Sequence, residues 1–320
     1  MRQAALGTPQ RAAGGLRVRV GAVTAVLALL ATLCACGRSA TAAVVQEVAA
    51  PVIHPGQGVF TFDGYPPLAD RPVRVYYDAP PDPSTAQILV VMHGVGRNAS
   101  DYRDDWVPLV RGRNVLVLAP EFSEKNFPGH ESYSLGNMTE QDRPQAPRLW
   151  TFQIIEALFD SVVRDVHSSA HDYAMFGHSA GAQFVHRFIE FMPGNRARIA
   201  VAANPGWYTM PDDAVPFPYG LDGAPVHTAD LGPAFASNLI LMLGGDDTDS
   251  DDESLRHDEQ ADQQGRYRLE RGRNFFHLAE QVASRASLPF HWQLRLVPGV
   301  AHDHRDMATA AAPLLIPVEH

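Results

Sequence analysis

The sequence predicts an α/β architecture, a mostly parallel central sheet with helices on both faces and lid-like loops. Three observations carry this reading. Short continuous apolar runs such as Gln87–Met92 and residues 238–243 have the composition of strands buried on both faces. Between such runs lie segments of helical spacing, with Trp150, Ile154, Ile155, Leu158, Phe159 and Val162 on one face of a helix over 148–167. A strand, a tight turn and a helix meet at Gly177-His178-Ser179-Ala180-Gly181.

The start of the chain reads as targeting, not fold. Arg2, Arg11, Arg17 and Arg19 precede an apolar stretch over 20–33 that is too short to span a bilayer comfortably. Leu33-Cys34-Ala35-Cys36-Gly37 is similar to a bacterial lipobox with Cys36 as the acylated residue. Cys34 does not fit, because Leu33 would then occupy the −1 site. Residues 1–35 are therefore expected to be a lipoprotein signal peptide, 36–56 a tether and 57–320 one catalytic domain. This implies a bacterial cell-envelope protein, lipid-anchored to a membrane on the extracytoplasmic side. An ordinary secretory signal or an uncleaved N-terminal anchor is the alternative.

Cys34 and Cys36 are the only cysteines, so the domain would hold no disulfide and no cysteine-ligated zinc. Losing residues 1–35 removes four arginines and no acid. That leaves 22 basic against 36 acidic side chains, a net charge of −14. Such a surface argues against nucleic acid and polyanionic substrates.

The body then follows a strand–loop–helix rhythm. Residues 58–62 and 73–77 alternate as opening strands, and Gln87–Met92 and 114–119 read as buried ones. The helix over 148–167 comes next, followed by the strand before Gly177 and the helix after Gly181. Strands are expected at 198–203, 238–243 and 291–297, and a helix at 268–286. Residues 121–147 and 205–236 carry no period and are rich in Pro, Gly and aromatics, as binding loops or lids often are.

A G-x-S-x-G between strand and helix is a nucleophile elbow: small residues let a strained turn lift the serine hydroxyl out of the sheet. A serine needs a base to take its proton and an acid to orient that base. In chain order these come after late strands. The strand ending near Leu243 runs into Gly244-Gly245-Asp246-Asp247-Thr248-Asp249, and the strand ending at Val297 into Pro298-Gly299-Val300-Ala301-His302-Asp303-His304. The set Ser179, Asp247, His302 meets the order. Asp246 and Asp249 compete for the acid role and His304 for the base. An oxyanion hole needs two N–H donors. Ala180 after the nucleophile and Val95 in His93-Gly94-Val95-Gly96 are the candidates.

These segments resemble the α/β-hydrolase superfamily, and within it the esterase and polyhydroxyalkanoate-depolymerase-like lipoproteins. The resemblance is carried by His93-Gly94-Val95-Gly96-Arg97-Asn98-Ala99 with Tyr102, by Ala119-Pro120-Glu121-Phe122, and by Tyr133 with Leu135-Gly136-Asn137. It continues in Phe176 through Gly181 with Gln183-Phe184, in Asn204 with Gly206-Trp207-Tyr208, and in Pro298 through His302. It covers roughly residues 57–312 and implies the α/β-hydrolase fold. It further implies a serine hydrolase of carboxylic esters, small or polymeric, that needs no cofactor. A peptidase or amidase would use the same triad, and a non-catalytic binding lipoprotein would use the same fold.

Other signals are weaker. Asp247, Asp249 and Asp251 have the spacing of a calcium loop, but Asp252 stands where glycine is needed. His302, His304 and Asp306 resemble a metal-ligand cluster in spacing, yet such a cluster needs further ligands placed by other strands, and the histidine of a serine triad is expected here. No metal site is therefore expected. Trp207 and Tyr208 are expected to line the substrate pocket, with anchoring of their loop as the alternative.

Overall fold

The structure, a computed structural model, describes residues 52–141 and 143–316. The expected signal peptide, Cys36 and most of the tether lie outside the described residues.

The central sheet is built from β1 (Gly56–Phe62), β2 (Val73–Ala79), β3 (Gln87–Met92) and β4 (Val115–Glu121), then β7 (Tyr173–His178), β8 (Ala197–Ala203), β9 (Leu239–Gly244) and β10 (Gln293–Val297). A small hairpin, β5 (Thr139–Glu140) with β6 (Arg143–Pro144), lies apart from it. The eight strands run in the order β1-β2-β4-β3-β7-β8-β9-β10. β1 and β2 pair antiparallel, as do β2 and β4, and every later pair is parallel. The expected mostly parallel sheet is present.

Strand alternation sends side chains into two cores. Ile88, Val90 and Met92 of β3, Ala200 and Ala202 of β8, and Leu241 and Leu243 of β9 face one core. Leu89, Val91, Val201, Ala203, Ile240 and Met242 face the other. The first core is covered by α2 (Phe152–Asp165), α3 (Ala180–Phe191) and α6 (Arg268–Arg285); the second by α1 (Ala99–Val110) and α7 (His304–Leu315). Two short helices, α4 (Gly232–Phe235) and α5 (Glu259–Gln264), complete the set. Among the described residues no helix is long and apolar enough to cross a membrane.

The periodicity did not reveal α1. Its buried positions Ala99, Tyr102, Arg103, Trp106 and Val110 have helical spacing, but the buried face also carries Asp105, and Pro108 lies inside the helix. Buried charges erase the apolar stripe that sequence reading depends on. Arg103 donates to the Tyr77 carbonyl at 3.0 Å, and Asp105 receives His304 and Arg305 of α7. Each buried charge therefore has a tertiary partner.

The strand order reverses at β3. Its chain successor β4 lies on one side and β7 on the other. The loops leaving the carboxyl ends of β3 and β7 therefore open a crevice, where open α/β sheets place their ligands. The His93–Val95 segment and Ser179 both stand there.

Candidate active site

Ser179 follows β7 directly and caps α3 with φ 56° and ψ −116°. That is a strained left-handed geometry for a side-chain-bearing residue, costing on the order of 1–3 kcal/mol. The neighbouring backbone compensates: the Ser179 N–H donates to the Ala203 carbonyl at 3.0 Å, and the Gln183 N–H donates to the Ser179 carbonyl at 3.0 Å. Close approach explains both glycines. A Cβ on Gly177 would overlap the Gly181 carbonyl, and one on Gly181 would overlap the Met92 carbonyl.

Ala180 is the first residue of α3, so its N–H has no acceptor inside the helix. Val95 is 58% exposed, and its N–H has no acceptor among the described residues. The Val95 loop is braced from below by His93. The His93 Nε2 accepts the Phe122 N–H at 3.0 Å, so its Nδ1 carries the proton and donates to the Gly94 carbonyl at 2.9 Å. Tyr133 stacks on the ring at 4.6 Å and donates its hydroxyl to the His93 carbonyl at 2.7 Å. Full burial drops the His93 imidazole to about 3, keeping it a neutral strut. Arg97 adds a second brace. Its guanidinium bonds the Phe122 and Gly129 carbonyls and lies 4.5 Å over the Tyr133 ring.

On the other side of Ser179 the competing acids separate. Asp247 is buried, and its Oδ2 accepts the His302 Nδ1–H at 2.8 Å; Asp246 and Asp249 are exposed. His304 turns away and bonds Asp105, with its ring stacked on Tyr102 at 4.5 Å. The two histidines thus serve different carboxylates. Asp249 bonds the Asp251 N–H instead of converging with Asp247. Among the described residues no group of three or more His, Cys, Asp or Glu side chains could hold a metal ion.

No hydrogen bond among the described residues joins the Ser179 hydroxyl to His302; such bonds often close only around substrate. The His178 ring, one residue before Ser179, lies 4.5 Å from the His302 ring. Gly94 closes the other side: a Cβ there would stand 3.7 Å from the Ser179 Cβ.

Trp207 and Tyr208 correct an expectation. Both rings are buried and turned away from solvent. Tyr208 is fully buried and stacks on Phe275 at 4.5 Å. Trp207 is 2% exposed and lies between the Arg187 and Arg256 guanidinium groups, 4.3 and 5.0 Å from its ring. Both anchor their loop, and the buried Arg271 holds the same loop through the Gly206 carbonyl at 2.9 Å.

Three residues near the site escaped assignment from sequence. Asn204, at φ 50°, accepts the Gly244 N–H at 2.7 Å and donates to the Ala301 carbonyl at 3.0 Å, tying the Asp247 loop to the His302 loop. Tyr102 donates its hydroxyl to His178 Nδ1 at 3.1 Å while stacking on His304. Asn204 and Tyr102 both stand in the motifs that carry the family resemblance, which was the available signal. Arg268, behind Asp247, had none.

No protein-family model matches the chain, nor does any curated protein. Solved structures do. The chain is 40% identical to poly(aspartic acid) hydrolase-1 from Sphingomonas sp. KT-1, over 82% of this chain and 99% of that one, with a TM-score of 0.79. It is 33% identical to a poly(3-hydroxybutyrate) depolymerase from Bordetella parapertussis, over 82% of this chain and 90% of that one, with a TM-score of 0.77. Sheet order, elbow and these likenesses together define a serine hydrolase. The chain belongs to the esterase and polyhydroxyalkanoate-depolymerase-like α/β-hydrolases.

Proposed function

We propose that the protein cleaves carboxylic esters through an acyl-enzyme, with Ser179 as nucleophile, His302 as general base and Asp247 as the acid that orients it. The observation that carries this reading is the hydrogen bond from His302 to the buried Asp247, beside a strained serine and two N–H groups without acceptors among the described residues. Ser179 Oγ attacks the carbonyl carbon and passes its proton to His302 Nε2. Asp247, bonded at Nδ1, fixes the tautomer that makes Nε2 the base and balances the imidazolium. The Val95 and Ala180 N–H groups receive the oxyanion. The intermediate collapses as His302 returns the proton to the leaving alcohol. Water then attacks the acyl-enzyme with the same base, releasing the acid and restoring Ser179.

The test is covalent labelling by a fluorophosphonate, together with hydrolysis of a panel of esters, polyesters and peptides. Ser179→Ala should abolish labelling and cut kcat by about 10⁴-fold or more while leaving the fold intact. Full activity in that variant overturns the mechanism.

A second reading, amide hydrolysis by the same triad, draws on the relative at 40% identity, whose name is that of an amide-linked polyacid. It also speaks against reading the acidic net charge as a bar to anionic substrates. The peptide and poly(aspartic acid) arms of the panel distinguish the two.

The lipobox-like Leu33-Cys34-Ala35-Cys36 supports membrane attachment through an acylated Cys36 in the cell envelope. Mass spectrometry of membrane-bound protein tests it: an unmodified Cys36 would point to an uncleaved N-terminal segment.

A further inference from the structure

Behind Asp247, at the start of α6, stands Arg268. It is 1% exposed, and its Nη1 lies 3.4 Å from Asp247 Oδ1, the carboxylate oxygen that His302 does not use. Its Nη2 reaches Asp252 Oδ1 at 3.1 Å and Ser254 Oγ at 2.8 Å. The next residue, Leu269, donates its N–H to the Asp247 carbonyl at 3.2 Å. The α6 N-terminus therefore grips the acid through both main chain and side chain.

A buried guanidinium is costly to desolvate and needs a reason. Loop anchoring alone would require only Asp252 and Ser254, yet this arginine also sits against the catalytic carboxylate. An arginine is always protonated, so opposite Asp247 alone it would cancel the charge that steadies an imidazolium at His302. Asp252 prevents that. Arg268 is the largest of the influences holding the Asp252 carboxyl well below the usual range, so it is ionised at working pH. Asp247, Arg268 and Asp252 together carry one negative charge, which is neutralised when His302 takes the serine proton.

We propose that Arg268 and Asp252 are positioning residues that act as a pair: Arg268 holds the Asp247 carboxylate in register with His302, and Asp252 offsets the charge Arg268 brings. This rests on the Ser179–His302–Asp247 reading above. The other groups facing His302 leave the argument intact. His178, from the β7 end, is fully buried and kept neutral chiefly by that burial. His304 neighbours His178 at 6.1 Å and is paired with Asp105.

The pair makes opposite predictions for its two members. Asp252→Asn leaves Arg268 uncompensated, which disfavours the protonated base; the acidic limb of the kcat/KM–pH profile moves down by about half a unit. Arg268→Gln removes the positive charge and moves the same limb up. It also lowers kcat by about 10- to 100-fold at little cost in KM, because Asp247 loses its hold. Arg268→Lys restores the limb toward wild type and recovers only part of kcat, since an ammonium cannot reproduce the fork. Asp249→Asn, an exposed acid in the same loop, controls for general loss of surface charge and leaves the limb in place.

Limbs that stay put, or that move the same way in Asp252→Asn and Arg268→Gln, overturn the proposal. If Arg268→Gln fails to fold, Asp252→Asn alone decides, because an unmoved limb in that variant refutes the compensation. Failure of the triad reading itself would show separately, as an active Ser179→Ala enzyme.

Discussion

Replacing Gly181 with alanine puts a methyl group where the end of β3 already stands. The new Cβ would overlap the Met92 carbonyl oxygen, and it would lie 2.6 Å from that carbonyl carbon and 2.7 Å from the His93 carbonyl oxygen. Ordinary contacts between such atoms sit near 3.5 Å, so one segment must shift by about 1 Å. Neither side yields easily. Met92 is locked by its pairing with Gly177 of β7, and α3 is buried along its whole length. Overpacking of this kind costs about 1–3 kcal/mol, and more against backbone. In a domain of this size that lowers Tm by roughly 3–10 °C.

The larger effect falls on chemistry. The displaced atoms belong to the elbow and to the strand that carries the Val95 loop, so Ser179 and the Val95 N–H, the proposed nucleophile and oxyanion donor, move apart. A misplacement of about 1 Å costs on the order of 10²-fold in rate. Calorimetry and the fluorophosphonate labelling rate, measured on the same preparation, are the assay. A variant with the wild-type melting temperature and the wild-type labelling rate would refute the close-approach argument.

Three further outcomes are expected. Asp247→Asn should lower kcat by about 10⁴-fold, since an amide favours the wrong tautomer of His302. Asp246→Asn should stay near wild type, and a reversal of the two in a kcat assay would move the acid by one residue. The His304 imidazole is raised above its ordinary 6.5, chiefly by its hydrogen bond to Asp105. The stability this contributes is fully present below about pH 6.5 and is lost as pH rises through the raised folded value. Tm should therefore decline across that window, and His304→Gln should flatten the decline; identical slopes would dismiss the linkage. Trp207→Ala should cost about 3–5 kcal/mol in urea denaturation while leaving the preference among short acyl esters unchanged. An altered preference at intact stability would put the indole against substrate.

Much of this molecule is local, and local properties are legible in a sequence. The strands β3, β8 and β9 announce themselves because burial on both faces demands unbroken apolar runs. The elbow announces itself because only small residues fit where Gly177 and Gly181 pass within contact of other backbone. The chain order Ser179, Asp247, His302 follows from which loops leave the carboxyl ends of β7, β9 and β10. By contrast, α1 went unseen because its buried face carries Arg103 and Asp105, whose partners lie at Tyr77 and at His304 and Arg305.

What the tertiary structure alone decided concerns pairs of groups far apart in the chain. Three aspartates crowd residues 246–249, and the sequence favours Asp247 while leaving Asp246 and Asp249 as competitors. Only the packing of β9 beside β10 and α6 buries Asp247 against His302 and leaves the other two in water. The same holds for Trp207 and Tyr208. An aromatic pair in a proline-rich loop reads as a substrate wall until Arg187, Arg256 and Phe275 are found covering it. Asn204 and Arg268 likewise meet their partners only where distant loops converge. A residue's type and its neighbours in sequence set what it can donate, accept or bury. Which partner it meets depends on contacts that close long loops, and those are determined by the whole core at once.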